Sequence, residues 1–286
     1  MVSRFTMTFR ALGACLLLAL LASPRIGHAA DVYLTSSSNA ALNAALETMF
    51  EGFGHDVTLG VEHWQFDGTQ SLAGRTVVYL QPNHNFNLDM PLAGQTALID
   101  FVNGGGGLVT SEWTVWDTAF GFFNLLEPIL PVNPTGSFSG SPSTTLSQAT
   151  ADPVLNAGLA AAFDIPLESI GGTETIFSDL KPGAVVYYNS SNTGAPGLVG
   201  GTAGDGQILQ FSTVNGLGQI SDPNFARLLS NSLTFVAGVS IISAAPEPGS
   251  IALLGFGLGG LALYRLKLRT RHRGRRGTPT PSVNRN

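Results

Sequence analysis

Leu98-Ile99-Asp100-Phe101-Val102-Asn103-Gly104-Gly105-Gly106-Gly107-Leu108-Val109-Thr110 decides the fold. It closes one element, turns, and opens another of a different kind. Residues 92–102 have the apolar spacing of a helix, and Asn103 with the four glycines ends it. Leu108-Val109-Thr110-Ser111 then reads as a strand. The same alternation runs outward. Towards the N-terminus, residues 31–36 read as a first strand, and Ser38 or Asn39 caps a helix over residues 40–50. Leu42, Leu46, Met49 and Phe50 fall on one helical stripe, and Gly52 and Gly54 stop it. Residues 55–61 and 76–80 are further strands, the latter apolar enough to be covered on both faces. Towards the C-terminus, residues 114–126 suggest an aromatic-rich helix. Residues 128–150, rich in Pro, Ser, Thr and Gly, suggest a long excursion with an extended hairpin. Residues 152–159 begin with a short helical turn. Residues 184–188 and 207–211 read as strands, the second following the hairpin signal Gly204-Asp205-Gly206. Residues 224–237 form a closing amphipathic helix with Phe225, Leu228, Leu229, Leu233 and Phe235 on its core face. Strand–helix alternation with short connections predicts an α/β fold with a mostly parallel sheet and helices on both faces.

The net charge of −5 hides a strong asymmetry. Arg4, Arg10 and Arg25 lie near the start, and eight basic residues lie beyond residue 264. Only Arg75, Lys181 and Arg227 remain in residues 31–243, which hold eighteen of the nineteen acids and carry a net charge of −15. Such a surface repels nucleic acid, so none is expected as a partner. The single cysteine, Cys15, lies in the first apolar stretch, so residues 31–243 have no disulfide, thiolate metal site or cysteine nucleophile. Cys15 precedes the apolar run over residues 16–22, which argues against a lipidation box.

The two ends read as targeting segments, leaving one domain between them. Residues 1–30 form a secretory signal peptide: a basic start, an apolar stretch over residues 11–22, and small residues Gly27, Ala29 and Ala30 before a cut after Ala29 or Ala30. Residues 244–286 have three parts. Pro246 and Pro248 force an extended backbone around Glu247 that a protease cleft can grip. Residues 250–266 are apolar and would rise about 25 Å as a transmembrane helix, close to a bilayer core of about 30 Å. Arg265, Lys267, Arg269, Arg271 and Arg273 form a basic stop that stays cytoplasmic. This arrangement resembles the PEP-CTERM sorting signal of Gram-negative bacteria. The resemblance implies processing at or near the Pro-Glu-Pro motif by an exosortase, a membrane-embedded cysteine protease. It also implies export through the Sec translocon, an inner-membrane-anchored precursor, and a final place at the outer surface or in an extracellular matrix with exopolysaccharide. Unlike the usual signal, the chain continues over residues 274–286.

The domain itself resembles the class I glutamine-amidotransferase-like superfamily in its ThuA-like branch. The resemblance rests on the helix–glycine–strand unit quoted above, on Ala151-Asp152-Pro153-Val154-Leu155-Asn156-Ala157-Gly158-Leu159, and on Gly204-Asp205-Gly206-Gln207-Ile208-Leu209-Gln210-Phe211-Ser212 followed by residues 222–235. It implies a flavodoxin-like three-layer sandwich. The activity does not carry over, because an amidotransferase needs a cysteine on a strand-to-helix elbow. Ser111 is the one conceivable substitute there, and Val109-Thr110-Ser111-Glu112-Trp113 lacks the flanking glycines of a nucleophile elbow.

Ligands of doubly wound folds bind outside the carboxyl ends of the strands. There the sequence places Ser36-Ser37-Ser38, Gln81-Pro82-Asn83-His84-Asn85 and Glu112-Trp113, with Trp116 and Asp117 beyond. Asn83, His84, Asn85, Glu112 and Trp113 form the candidate ligand set. An aromatic, amide and carboxylate rim suits a sugar ring and its hydroxyls, though these residue types also make ordinary polar loops. His84 with Glu112 or Asp117 is the candidate acid–base pair. Glu62-His63 lacks ligand spacing, so no metal site is expected. The glycines 104–107 follow a helix rather than open one, so no nucleotide cofactor is expected either. The leading expectation is a non-catalytic envelope or matrix protein processed by exosortase. The alternatives are a sugar-directed hydrolase or carbohydrate-modifying enzyme using Glu112, His84 and Asp117, and a purely structural surface layer.

Overall fold

The computed structural model describes residues 30–238. Of the signal peptide expected over residues 1–30 all but Ala30, and likewise the Pro246-Glu247-Pro248 motif, the helix expected over residues 250–266 and the expected basic stop, lie outside the described residues. Among the described residues, no helix is long and apolar enough to cross a membrane.

A nine-stranded sheet forms the centre. Its strands are β1 (Asp31–Ser36), β2 (Asp56–Glu62), β3 (Val77–Leu80), β4 (Gly107–Thr110), β6 (Ser143–Gln148), β7 (Ala162–Pro166), β9 (Val185–Ser190), β10 (Pro196–Ala203) and β11 (Gly206–Phe211). The order across it is β2-β1-β3-β4-β11-β10-β9-β6-β7. Pairing is parallel from β2 through to β11. From β11 to β7 every pairing is antiparallel. The short strands β5 (Phe138–Ser139) and β8 (Glu174–Thr175) make a separate two-stranded sheet.

Period-two alternation sorts the parallel strands onto two cores. Val32, Leu34, Val77, Tyr79, Val109, Leu209 and Phe211 face helices α1 (Ala40–Gly52) and α5 (Pro223–Val236). Tyr33, Val78, Leu80, Leu108 and Ile208 face α2 (Leu92–Asn103). This is the expected α/β three-layer sandwich. Asn39 caps α1 by accepting from the backbone N–H groups of Ala41 and Leu42 at 3.1 Å, and Asp222 caps α5 in the same way. After α2 the chain must reverse at once to enter β4. Gly105 takes φ 100°, and a Cβ on Gly107 would lie 2.5 Å from the Val236 carbonyl oxygen, so glycine is required at both.

Several elements differ from expectation. Helix α3 (Glu112–Ala119) starts two residues earlier than residue 114 and stops well before 126, because Gly121 (φ 91°) and Phe123 (φ 52°) turn left-handed. The excursion over residues 128–150 is no isolated hairpin: β6 enters the main sheet between β9 and β7. Strand β10 has no strand signal in the sequence, because three glycines and a proline dilute its apolar pattern, yet it joins β11 through the expected Gly204-Asp205 turn.

Candidate functional site

The parallel strands deliver several polar side chains to their carboxyl ends, and many of these find no partner. Buried side-chain atoms without a hydrogen bond include Gln81 Oε1, Asn83 Nδ2, His84 Nδ1, both Glu112 carboxylate oxygens, Gln210 Oε1 and Gln219 Nε2. Gln81 and Asn83 follow β3, Glu112 follows β4, Gln210 ends β11, and Gln219 sits in the short helix α4 (Leu217–Ile220) after it. Unpaired buried polar atoms are uncommon in folded proteins, because each forfeits its hydration without replacement. Their gathering at one sheet edge marks that edge as the candidate site.

Glu112 opens α3 and is fully buried. Its backbone is fixed on both sides: its N–H donates to the Thr213 carbonyl at 3.2 Å, and its carbonyl accepts from Thr175 Oγ1 at 3.3 Å. Burial drives its carboxyl well above the ordinary glutamate range, and the neighbouring Glu174 carboxylate adds to the rise. The Val214 backbone N–H opposes the rise. Glu174, on β8, is equally buried but fully engaged. It accepts from Ser212 Oγ at 2.6 Å, Ser190 Oγ at 2.8 Å and Asn192 Nδ2 at 2.9 Å. Nothing in the sequence singled out Glu174, because the residues that hold it come from the end of β9, the position after β11 and a loop far along the chain.

Ser111, at the elbow between β4 and α3, donates its hydroxyl to Asn83 Oδ1 at 2.8 Å. It therefore has an amide acceptor where a nucleophile needs a base. His84 stands in the turn Asn83–Asn85, and Asn39 Nδ2 donates to its Nε2 at 3.3 Å. Burial lowers its pKa, partly countered by Glu168. It hydrogen-bonds neither Glu112 nor Asp117, so the expected acid–base pair is not formed in this structure. Helix geometry explains part of this: Glu112 and Asp117 are five residues apart on α3 and project about 140° from each other.

Asp117 is instead a backbone clamp. Its Oδ1 accepts the Asn87 N–H at 2.9 Å, while Asp89 Oδ1 accepts the Phe123 N–H at 2.8 Å. Asn87 (φ 69°) and Phe123 (φ 52°) are, among the described residues, the two non-glycine residues with left-handed backbone, and each is pinned by an aspartate. Burial raises the Asp117 pKa to about 7, with Asp89 adding to the rise and the Asn87 N–H resisting it.

Asn85 turns away from the cluster to donate to Glu62, which also accepts from Trp64 Nε1 at 2.9 Å. Trp113 is 1% exposed, so it does not stand on an open rim. It stacks on Phe86 at 4.6 Å and meets Trp116 edge-on at 5.1 Å, with Gly171 close against both Phe86 and Trp113. The solvent-facing aromatics of this group are Phe120 and Phe138, 57% and 47% exposed. His63 is a core residue whose Nε2 donates to the Leu88 carbonyl at 2.8 Å, beside Phe123. Among the described residues, no three His, Cys, Asp or Glu side chains converge as a metal site. A separate cleft of about 280 Å³ lies near the start of β11, lined by Pro128, Pro131, Pro182 and Lys181, whose amine donates to the Glu127 carbonyl.

No family model and no curated protein matches the sequence. Solved structures do resemble the fold. A cytoplasmic protein of Salmonella typhimurium LT2 matches at 14% identity and a TM-score of 0.55, over 72% of this chain and 98% of that one. A putative ThuA-like protein of Parabacteroides merdae matches at 14% identity and 0.54, over 77% and 94%. Another from Bacteroides uniformis matches at 13% and 0.53, over 75% and 92%. At such identities the likeness is one of fold: residues 30–238 form an α/β sandwich similar to those of these ThuA-like proteins.

Proposed function

We propose that this protein is an exported, non-catalytic component of the cell envelope or extracellular matrix, whose ThuA-like domain binds rather than transforms its ligand. One observation carries the second half of that reading. At the strand-to-helix elbow, Ser111 donates to an amide, and the next residue is a buried glutamate with no hydrogen-bond partner and no histidine bonded to it. A serine nucleophile needs a base bonded to its hydroxyl, and the hydroxyl of Ser111 is given to the Asn83 amide oxygen instead. The export half is supported by the two sequence ends: a signal peptide, and a Pro-Glu-Pro motif, apolar segment and basic stop suited to an exosortase. Exopolysaccharide is the proposed partner. The half-exposed Phe120 and Phe138, beside an acidic, amide-rich edge, offer the stacking surface that Trp113 does not.

The test has two arms. Mass spectrometry of the surface-localised polypeptide is expected to show a C-terminus at or near Pro248; residues beyond Tyr264 still attached would remove the sorting reading. Pull-down on the producing organism's own matrix polysaccharide is expected to retain the wild type and to lose retention in a Phe120→Ala, Phe138→Ala double variant.

The second reading, a sugar-directed hydrolase, draws on Asp117, whose carboxyl is held near neutrality. It requires Glu112→Gln and Asp117→Asn to abolish turnover of some glycan. If both variants match the wild type across a panel of polysaccharide substrates, the hydrolase is excluded.

A further inference from the structure

The first described residue is built into the fold as fully as those that follow. Ala30 is buried in the core with Val32 and Phe50. Its carbonyl accepts the Asp56 N–H at 3.0 Å, tying it to the start of the edge strand β2. Its N–H donates to Nδ1 of His55 at 3.2 Å. A backbone N–H can only donate, so Nδ1 is the acceptor and the ring proton sits on Nε2, which donates to Ser230 Oγ on α5 at 2.9 Å. The His55 ring is buried and packs edge-on against Phe50.

We propose that the exported chain begins at Ala30, and that its new α-amino group is seated on Nδ1 of His55 as the first anchored atom of the domain. The inference rests on the export reading above and goes beyond it, since the sequence alone leaves a cut after Ala29 or after Ala30 open. Two independent observations choose between them. Signal peptidases take small residues at the positions first and third before the cut. A cut after Ala29 places Ala29 and Gly27 there, whereas a cut after Ala30 places His28 in the third position. The structure points the same way. A cut after Ala30 would delete the acceptor of the Asp56 N–H, leave His55 Nδ1 a buried acceptor without a donor, and empty a core position. A cut after Ala29 keeps all three, because an α-ammonium still has a proton to give to Nδ1. Burial lowers the His55 pKa to about 4, so the ring stays neutral and able to accept at neutral pH.

The full chain, expressed in a Gram-negative host and recovered after export, is read by N-terminal sequencing. A start at Ala30 is expected. A start at Asp31 or later, or between residues 3 and 29, overturns the inference while leaving export intact. A start at Met1, or at Val2 after ordinary removal of the initiator methionine, overturns it by removing the export on which it rests, so one readout separates the two failures. The seating of the amine is tested by acylation of the exported protein. The α-amine is expected to react about tenfold more slowly in the native protein than in urea, the protection one hydrogen bond of about 1.4 kcal/mol provides. His55→Phe, checked by circular dichroism to be folded, is expected to lose that protection. Equal native and unfolded rates in the wild type, or unchanged protection in the variant, overturn the seating.

Discussion

Two glutamates lie at the carboxyl edge of the sheet, both fully buried, and their surroundings are opposites. Glu174 is caged by two serine hydroxyls and an asparagine amide drawn from the end of β9, the position after β11 and the loop after β9. Glu112, at the head of α3, has no partner on either oxygen. A helix N-terminus favours a carboxylate by a few tenths to about 1 kcal/mol, which is small beside the several kcal/mol of desolvating an ion. The first glutamate is therefore a structural tie between the parallel and antiparallel halves of the sheet. The second is held ready for a proton or a ligand.

The largest expected effect is at the caged residue. Glu174→Ala leaves Ser190, Ser212 and Asn192 without their common acceptor and should cost about 3–5 kcal/mol of stability, measured by urea unfolding. A loss below about 1 kcal/mol would break the contrast, since such a value is ordinary for one exposed hydrogen bond.

Next comes Asp117. Its folded pKa is raised, to about 7, above an unfolded value near 3.8. Its favourable contribution is therefore complete below pH 3.8 and is lost as pH rises through about 7. Asp117→Asn mimics the protonated form and keeps an acceptor for the Asn87 N–H. It should match the wild type at pH 4 and exceed it by about 2–4 kcal/mol at pH 8. Equal stability of the two proteins at pH 8 would refute the buried-carboxyl account.

The sharpest form of the comparison makes one chemical change at both glutamates. Glu112→Gln should stabilise the fold as pH rises above 4.5, because burial and Glu174 disfavour the charge that the amide lacks. Glu174→Gln should destabilise it, because an amide presents one acceptor oxygen to three donors. Melting temperatures at pH 8 that move in the same direction for both would erase the distinction. The smallest effect is expected at the elbow. Ser111→Ala removes one hydrogen bond to Asn83 and should cost about 1 kcal/mol without altering any binding.

Much of the parallel half was legible from local pattern. Alternation within residues 31–36, 76–80 and 107–110 reflects two-sided burial, and the tetraglycine marks a reversal that few other residues can make. The antiparallel half was less legible. β10 is glycine-rich, and β6 is mostly Ser and Thr, so neither carries a strong apolar period. The site was partly legible: Asn83, His84 and Glu112 do stand at the strand ends. Asn85 and Trp113 are the exceptions, one drawn off by Glu62 and the other buried under Phe86.

The sequence by itself determined the alternation of strands and helices and where the parallel strands end, because each depends on neighbours within a turn or two. Only the tertiary structure decided which of two adjacent-looking glutamates is satisfied, that Asp117 clamps a backbone, and that Ala30 leans on His55. Those outcomes depend on desolvation and on partners from distant parts of the chain, and neither is written in local spacing.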